Sequence, residues 1–496
     1  MKQLVFTILI LLLVSDSFSQ KIPLVRKSFK YEKLEKENYD RCDETVMVQL
    51  EKPFAAVDQN SSSLAVSLSK DLFSKNGNCP ETYECYAYCL FRSGMRLEAI
   101  ALLDSAIEKF GSNPELIYRK AYLSFELGEL GPTVKNIDGS GVYTSSEKSE
   151  YEEAQFKEEN FRSALADLRY LTSAYSGRDE DEVRVAYIHS QLGEYEKANQ
   201  VLENLLDREG YQETARYMIA ENMIELKQYR DAEKILLELS KINPRETSIY
   251  KKLYQLYDLQ KEEAKKTEAK NKFTFYQCTP AFSDLVYNEK NYAAINYFLS
   301  EENKGKDKVK KLNSFYKKES KGFTIDLCLS ILKMHANHEN ALEQQATDLL
   351  AKIGKPAIAK SILLFESENI STCSISNLAE VMATVKDTAS WRALVNYLPL
   401  IGNMPMTLIP PSVPSSLVAF DAGKGTYEIL KVVKVIYETK ENESGGSDNM
   451  MNHFGEYAYY LPLEKMSREK ITAIAKQLNY TDSQMKILMG KIYGDK

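Results

Sequence analysis

Four places in the 496-residue sequence gather side chains that could do chemistry. His335, Ala336, Asn337, His338 and Glu339 offer two imidazoles and a carboxylate within one helical turn. That set fits neither H-E-x-x-H nor H-x-x-E-H, so a zinc hydrolase's intervening glutamate is missing and a surface helix is the better account. Gly423, Lys424, Gly425 and Thr426 resemble part of a phosphate loop, yet Val418 stands where the leading glycine belongs and Gly425 where a hydroxyl should meet magnesium. The third place is the seven cysteines, Cys42, Cys79, Cys85, Cys89, Cys278, Cys328 and Cys373, an odd number that cannot pair off completely. Among Cys79, Cys85 and Cys89 a disulfide is open in an oxidising compartment. Cys85 and Cys89, four apart on a helix, read equally well as packing residues, and the paired C-x-x-C spacing of a zinc site is absent. The fourth is His189, which reads as a satisfied core histidine rather than a general base. No Ser-His-Asp or Cys-His arrangement can be assembled, so we expect no enzyme, no cofactor and no metal.

The elements that would position such groups show themselves through repetition. Small residues in apolar helical stretches recur at Ala65, Ala99, Thr133, Ala164, Ala198 and Ala232, with spacings of 34, 34, 31, 34 and 34. Twelve residues before four of them stand Ala87, Ala121, Ala186 and Ala220; five before three of them stand Gly94, Gly128 and Gly193. Four after five of them come Leu103, Ile137, Leu168, Leu202 and Leu236. Small side chains let two antiparallel helices approach closely where they cross, and a branched residue one turn later fills the seam. One such hairpin cannot bury its own apolar face, so successive copies must stack.

On these residues the chain resembles the tetratricopeptide repeat family, over roughly residues 60–260. The resemblance is strongest in AYIHSQLGEYEKANQVLENLL from Ala186 and AENMIELKQYRDAEKILLELSKINP from Ala220, with an aromatic three before the anchor (Tyr195, Tyr229) and a closing proline, Pro244. A third copy is degenerate, with Glu152 replacing its first small residue and Glu159 its turn glycine; an insertion near residues 139–150 interrupts the stack. The fold expected is all-α, a right-handed α-solenoid of helical hairpins followed by a further helical region.

The resemblance implies that the first helix of each hairpin lines a concave groove for a partner polypeptide. Positions eleven, eight and fifteen before the anchors hold Tyr88, Phe91, Tyr118, Tyr122, Phe125, Tyr187 and Tyr217, offsets that share one helical face. Phe156 continues the series. Such rings offer contact area with little rotamer entropy to lose. Two readings stay open: the rings line the groove, or they pack between neighbouring hairpins. The family also contains a lysine, arginine and asparagine clamp for a C-terminal carboxylate; Glu84, Tyr88, Tyr118 and Tyr122 on this surface do not suit one.

Composition sets the outer bounds. Apolar residues at 44% and charged residues at 27% exclude wholesale disorder, and a formal charge of -7 gives no overall footprint for nucleic acid, although residues 304–321 are rich in lysine. That stretch reads as a solvated helix face or linker. Lys2, an apolar run at residues 4–14, and Ser17 and Ser19 read as a secretory leader cleaved before Gln20. As a helix that run rises only about 16 Å, too short to span a bilayer.

The domain plan is a leader at 1–19, an N-terminal extension at 20–60, the solenoid at 61–272, a helical domain at 273–398, a proline-rich loop at 399–416 and a mainly helical unit at 417–496. The second region has a HEAT-like stretch around 342–366, where Gly354, Lys355 and Pro356 mark a turn. TYEILKVVKVIYE within the last unit is β-branched enough to form a strand instead, and two short helices are expected from 467 to 493. The function expected is an exported scaffold that binds a protein or peptide, extracytoplasmic, with no nucleic acid, no integral membrane span and at most peripheral envelope association. An enzyme hidden after residue 273 and a self-assembling structural component stand as alternatives.

Overall fold

The computed structural model describes residues 42–58, 61–130, 134–135, 142–143, 150–174, 179–300, 302–334, 340–367, 370–401, 412–444 and 467–493. The leader at 1–19, the histidine motif at 335–339, Thr133, Ile137 and most of the proline-rich loop lie outside them. The described residues form two compact units, one drawn from within 1–244 and 252–263 and one from within 245–251 and 264–496.

The first unit is an α-solenoid of helix pairs: α1 (Glu44–Asp58) with α2 (Ser62–Asn76), α3 (Pro80–Arg92) with α4 (Arg96–Phe110), α5 (Pro114–Leu130) with α6 (Glu150–Ala174), α7 (Asp179–Gln191) with α8 (Tyr195–Glu203), and α9 (Gln212–Glu225) with α10 (Tyr229–Ile242). The next helix, α11 (Thr247–Gln260), contributes to both units. Every described alanine of the 34-residue series, Ala65, Ala87, Ala99, Ala121, Ala164, Ala186, Ala198, Ala220 and Ala232, has no solvent exposure. Leu103, Leu168, Leu202 and Leu236 fill the seams beside them. Close backbone crossings at a fixed interval are therefore what the periodic small residues supply.

The turns inside the pairs are equally regular. Gly94 (φ 98°) donates its N–H to Phe91 O at 3.1 Å while Met95 N–H reaches Leu90 O at 3.0 Å. Gly193 (φ 72°) and Glu194 repeat this onto Ser190 and His189. In the next two turns the left-handed position is lysine: Lys227 (φ 61°) bonds Ile224 O and Lys261 (φ 59°) bonds Asp258 O, each followed by the same longer bond. A glycine search cannot see these two turns because their hydrogen bonds hold lysine in a region that glycine adopts more cheaply.

The third pair corrects the sequence reading. Glu152, Glu159 and Ala164 all lie in the single long helix α6, so the degenerate copy is not a hairpin of its own. Ala164 instead shares a core cluster with Ala121, Phe125 and Phe161, making α6 the second helix of the pair that α5 begins. The irregular spacing of 31 is an insertion inside one repeat, and it carries the only strands among the described residues, an antiparallel ribbon of β1 (Val134–Lys135) and β2 (Val142–Tyr143). Gly128 is likewise no turn residue; it lies within α5, where a Cβ would come within 3.0 Å of the Phe161 ring.

Cys42 and Cys79 form a disulfide with a Cα–Cα separation of 5.1 Å, closing a loop around the first helix pair. Cys85 and Cys89 are free and buried in α3, the packing role that one of the two readings gave them.

The second unit contains α12 (Glu263–Cys278), α13 (Glu289–Leu299), α14 (Gly305–Lys318), α15 (Lys321–Met334), α16 (Asn340–Ile353), α17 (Lys355–Phe365), α18 (Thr372–Val385), α19 (Thr388–Ile401), α20 (Ser412–Phe420), α21 (Ala422–Ser444), α22 (Arg468–Gln477) and α23 (Asp482–Tyr493). The TYEILKVVKVIYE run is helical, within α21, because its apolar residues Ile429, Leu430 and Val433 fall at helical spacing and enter the core together. No described helix is long and apolar enough to cross a membrane.

Candidate binding face

The first helices α3, α5, α7 and α9 stand side by side, and polar contacts run from each to the next. Glu84 on α3 takes two hydrogen bonds from Arg119 on α5, from Nε at 2.9 Å and Nη2 at 2.5 Å. The Arg119 guanidinium lies over the rings of Tyr88 and Tyr122, 5.1 and 5.9 Å from their centroids. Burial opposes the charge on Arg119, but the Glu84 carboxylate holds the guanidinium above its ordinary value. Tyr122 donates its hydroxyl to Glu126 at 2.6 Å, and Tyr187 on α7 donates to Glu129 on α5 at 3.1 Å. Burial and these adjacent carboxylates push both phenols up. On α7, Arg184 pairs with Asp181 at 2.6 Å and reaches the Tyr118 hydroxyl at 3.3 Å. Ser190 donates to Asn222 of α9 at 2.7 Å, and Lys252 pairs with Glu221 at 2.7 Å.

Of the seven aromatic positions singled out from the sequence, Tyr88, Phe91, Tyr118, Phe125 and Tyr217 are buried. Phe125 packs between Phe161 and Tyr187, with centroids 6.0 and 5.7 Å away, and Tyr88 meets Phe54 of α1 at 5.7 Å. Large rings at these offsets fill the space between adjacent hairpins, which is how most of the stripe is used. Tyr122 and Tyr187 are half-buried, each with its hydroxyl donating to a carboxylate. Phe156 lies on α6, not on a first helix.

What the aromatic search missed is a column of cations. Arg119, Arg184 and Lys252 stand fourteen residues before positions 133, 198 and 266 of the 34-residue frame, one turn ahead of the tyrosine column and with Met218 breaking the series between the last two, and each is paired with a carboxylate of the protein itself. A count at offset fourteen would have found them. Engaged in this way, these cations tie neighbouring groups of the stack together.

The chemical candidates that lie among the described residues each have partners within the protein. His189 has no solvent exposure and both ring nitrogens are engaged, Nδ1 with Glu194 at 2.6 Å and Nε2 with Arg169 at 2.8 Å. Since a guanidinium can only donate, Nε2 accepts and Nδ1 carries the proton to Glu194, which fixes a neutral imidazole. Burial, then the Arg169 charge, hold its pKa below the ordinary value against the pull of Glu194. Gly425 is required because a Cβ would lie 2.4 Å from Leu417 O, where α20 and α21 meet; Asp421 caps the helix by accepting from the Gly423 and Lys424 N–H groups at 3.1 and 3.0 Å. Among the described residues, the one group of metal-type ligand atoms is Cys42, Cys79 and Glu81, where both sulfurs are consumed by the disulfide and Glu81 accepts the Cys42 N–H at 3.1 Å.

In the second unit Arg245, Lys333, Asp326 and Lys360 converge on the connection between α12 and α13. Arg245 donates to Pro280 O at 3.2 Å and Leu285 O at 2.6 Å as well as to Ser283 O, and Lys333 donates to Thr279 O at 2.9 Å. Buried Asp326 accepts the Asp284 N–H at 2.8 Å and pairs with Lys360 at 2.7 Å. These charges satisfy backbone groups of an irregular segment, as buried polar groups must be satisfied.

A family model described as tetratricopeptide repeat matches residues 189–257. No curated protein matches the chain. Similar solved structures include a tetratricopeptide repeat protein from Parabacteroides merdae ATCC 43184, 15% identical over 68% of this chain and 99% of that one with a TM-score of 0.35. Others are a MamA RS-1 ArsTM double mutant, 13% identical over 40% and 93% with a TM-score of 0.30, and the P58(IPK) TPR domain, 15% identical over 88% and 100% with a TM-score of 0.19. Overlaps this loose add nothing to the repeat match and the helix pairs. Residues 189–257 are tetratricopeptide repeats, set in a stack of helix pairs that begins at α1.

Proposed function

We propose that the chain is an exported scaffold that holds another polypeptide against the face formed by α3, α5, α7 and α9. Tetratricopeptide repeats support a protein-interaction role, and the observation that carries the choice of face is the placement of Tyr122 and Tyr187, half-buried and beside Glu126 and Glu129. The remaining rings of the stripe keep the hairpins in register. A partner segment with apolar and hydrogen-bonding side chains suits a wall of this composition.

Export is part of the same reading. It is supported by the leader pattern of Lys2, residues 4–14, Ser17 and Ser19, and by the Cys42–Cys79 bridge, a bond that persists in oxidising compartments.

The test is site-specific photocrosslinking from positions 122 and 187 in the producing cell, with positions 88 and 217 as buried controls. Polypeptide adducts from 122 and 187, lost when Tyr122→Ala and Tyr187→Ala are combined in a protein of unchanged helix content, are the expected result. Adducts that arise equally from exposed positions on α4 and α10, and none from 122 or 187, sink the assignment of the face.

A further inference from the structure

The outward side of α14 is a strip of lysines. Leu312 and Lys308 are fully buried, and Val309, Phe315 and Tyr316 pack against the core of the second unit. At about 100° per residue, Lys306, Lys310 and Lys317 fall in one sector about 40° wide on the side away from the core, and Lys311 and Lys318 in a second about 80° further round, with Ser314 and Asp307 between the two. All five are exposed, as are Lys304 at the helix N-cap and Lys321 at the start of α15. Asp307 is the one exposed acid of the helix, and Lys310 approaches it only to 3.7 Å.

We propose that this strip docks the chain on the surface of an anionic lipid bilayer. The chain as a whole carries a formal charge of -7, so the strip is not a by-product of a basic protein. Lys306 and Lys310 stand at i and i+4, a like-charge spacing that destabilises a helix by a few tenths of a kcal/mol, partly offset by the approach of Lys310 to Asp307.

The chemistry of the strip selects among anionic partners. Every cation on it is lysine, a hydrated point charge suited to a diffuse array of headgroups rather than to bidentate capture of one carboxylate or phosphate. Phe315 and Tyr316 pack against the core, and the Lys311 ammonium covers the Phe315 and Tyr297 rings at 5.3 and 5.6 Å, so these rings are engaged within the protein rather than open for bases to stack on. With no exposed apolar side chain among the lysines, adsorption is electrostatic and without insertion, and it must weaken steeply with salt. The inference leans on the export reading only for which membrane is met; adsorption itself is measurable without it.

Flotation of the full chain with vesicles of equal parts phosphatidylcholine and phosphatidylglycerol tests the proposal, against vesicles of phosphatidylcholine alone. Binding to the anionic vesicles at low salt, and its loss at high salt, are expected. Each lysine near an anionic surface is worth about a fivefold change in partitioning, so Lys306→Gln, Lys310→Gln, Lys311→Gln and Lys317→Gln together should lower it by at least about a hundredfold. The corresponding four arginine substitutions should retain it, which separates loss of charge from loss of fold.

Equal binding to neutral vesicles, no binding to anionic ones, an unchanged quadruple glutamine variant, or duplex DNA competing as strongly as lipid would each overturn the assignment. Cell fractionation and crosslinking from positions 122 and 187 report separately on export and on the repeat face, so their failure is distinguishable from failure of the strip.

Discussion

In residues 44–242 each helix packs chiefly on the helices just before and just after it, with lighter contacts between alternate helices, whereas residues 264–493 gather one core from Phe275 to Met489. The first region divides its apolar residues into successive clusters, Leu50 to Leu127, Ala121 to Ile188 and Val183 to Ile219. In the second, α14 meets α16, α16 meets α18 and α18 meets α20, so neighbours in space are separated by intervening helices in sequence. Both regions are helical and have fully buried side chains. They differ in how far a local loss should travel: nearest-neighbour coupling lets one end of a solenoid loosen while the rest stays folded, and a shared core does not.

Removing one large ring from each region gives the widest separation. Phe161 and Phe298 are both fully buried, and Phe161→Ala or Phe298→Ala should each cost about 3–5 kcal/mol locally. Hydrogen exchange should show faster opening of α5, α6 and α7 alone for the first, and of α12 through α23 together for the second. Loss of protection from α1 through α10 in equal measure after Phe161→Ala would break the comparison.

The disulfide sharpens it at one end. Cys42 and Cys79 are 37 residues apart, and cutting a loop of that size removes up to about 4 kcal/mol on the unfolded-chain entropy account. Cys42→Ser with Cys79→Ser should therefore release α1 and α2 to exchange and proteolysis while α7 to α10 keep their protection. Reductant should reproduce the effect in the parent protein and do nothing further to the double variant.

Two glycines test close packing at smaller scale. At Gly425 an added methyl meets the Leu417 carbonyl at 2.4 Å, a backbone atom, whereas at Gly128 it meets the Phe161 ring at 3.0 Å. Overpacking of this kind costs about 1–3 kcal/mol, with Gly425→Ala expected near the top of that range and Gly128→Ala near the bottom, because a ring can shift further than a backbone. Denaturant midpoints at constant slope would rank them.

These same residues show what the sequence could and could not convey. The 34-residue interval was legible because each small residue answers to a helix crossing that recurs with identical geometry. The insertion within the third pair was legible only as a broken interval: Thr133 and Ala164 look like two successive anchors, and nothing in their types says that the helix bearing Ala164 serves Ala121. Gly128 misled for the opposite reason, since glycine is demanded both by a left-handed turn and by an approaching ring. The proposed face was half legible. The offsets of Tyr122 and Tyr187 were visible, but which rings are covered depends on partners such as Phe54 and Phe161 that no periodicity announces. In the second unit no interval repeats, so helices were foreseen while their packing partners were not.

A weaker handle is pH. His189 has its folded pKa lowered from the ordinary 6.5, so the unfolded chain binds a proton there before the folded chain does. Stability is therefore full above pH 6.5 and falls as the pH drops toward the lowered value. Burial alone would raise Glu194, but hydrogen bonds from His189 and Lys197 leave it below its ordinary 4.5, adding a second loss at lower pH. His189→Gln keeps a donor for Glu194 and an acceptor for Arg169 without a titrating ring, so unfolding measured across that range should lose its upper step. The contribution belongs to the junction of α6, α7 and α8, and exchange in α1 to α4 should not follow it.

The smallest effect is also a control on all the others. Lys227 in the first unit and Lys386 in the second hold φ values of 61° and 56°, a conformation that glycine adopts without the clash a Cβ brings. Lys227→Gly and Lys386→Gly should each stabilise by no more than about 1 kcal/mol, since relief of the left-handed strain is partly offset by the larger unfolded-state entropy of glycine. Because the gain comes from one residue's own backbone, it should be alike in the two regions even though large losses propagate differently in them. Thermal midpoints that rise for one substitution and fall for the other would mean that backbone strain at these turns is coupled to the surrounding packing, and the contrast between a divided and a shared core would need that coupling added to it.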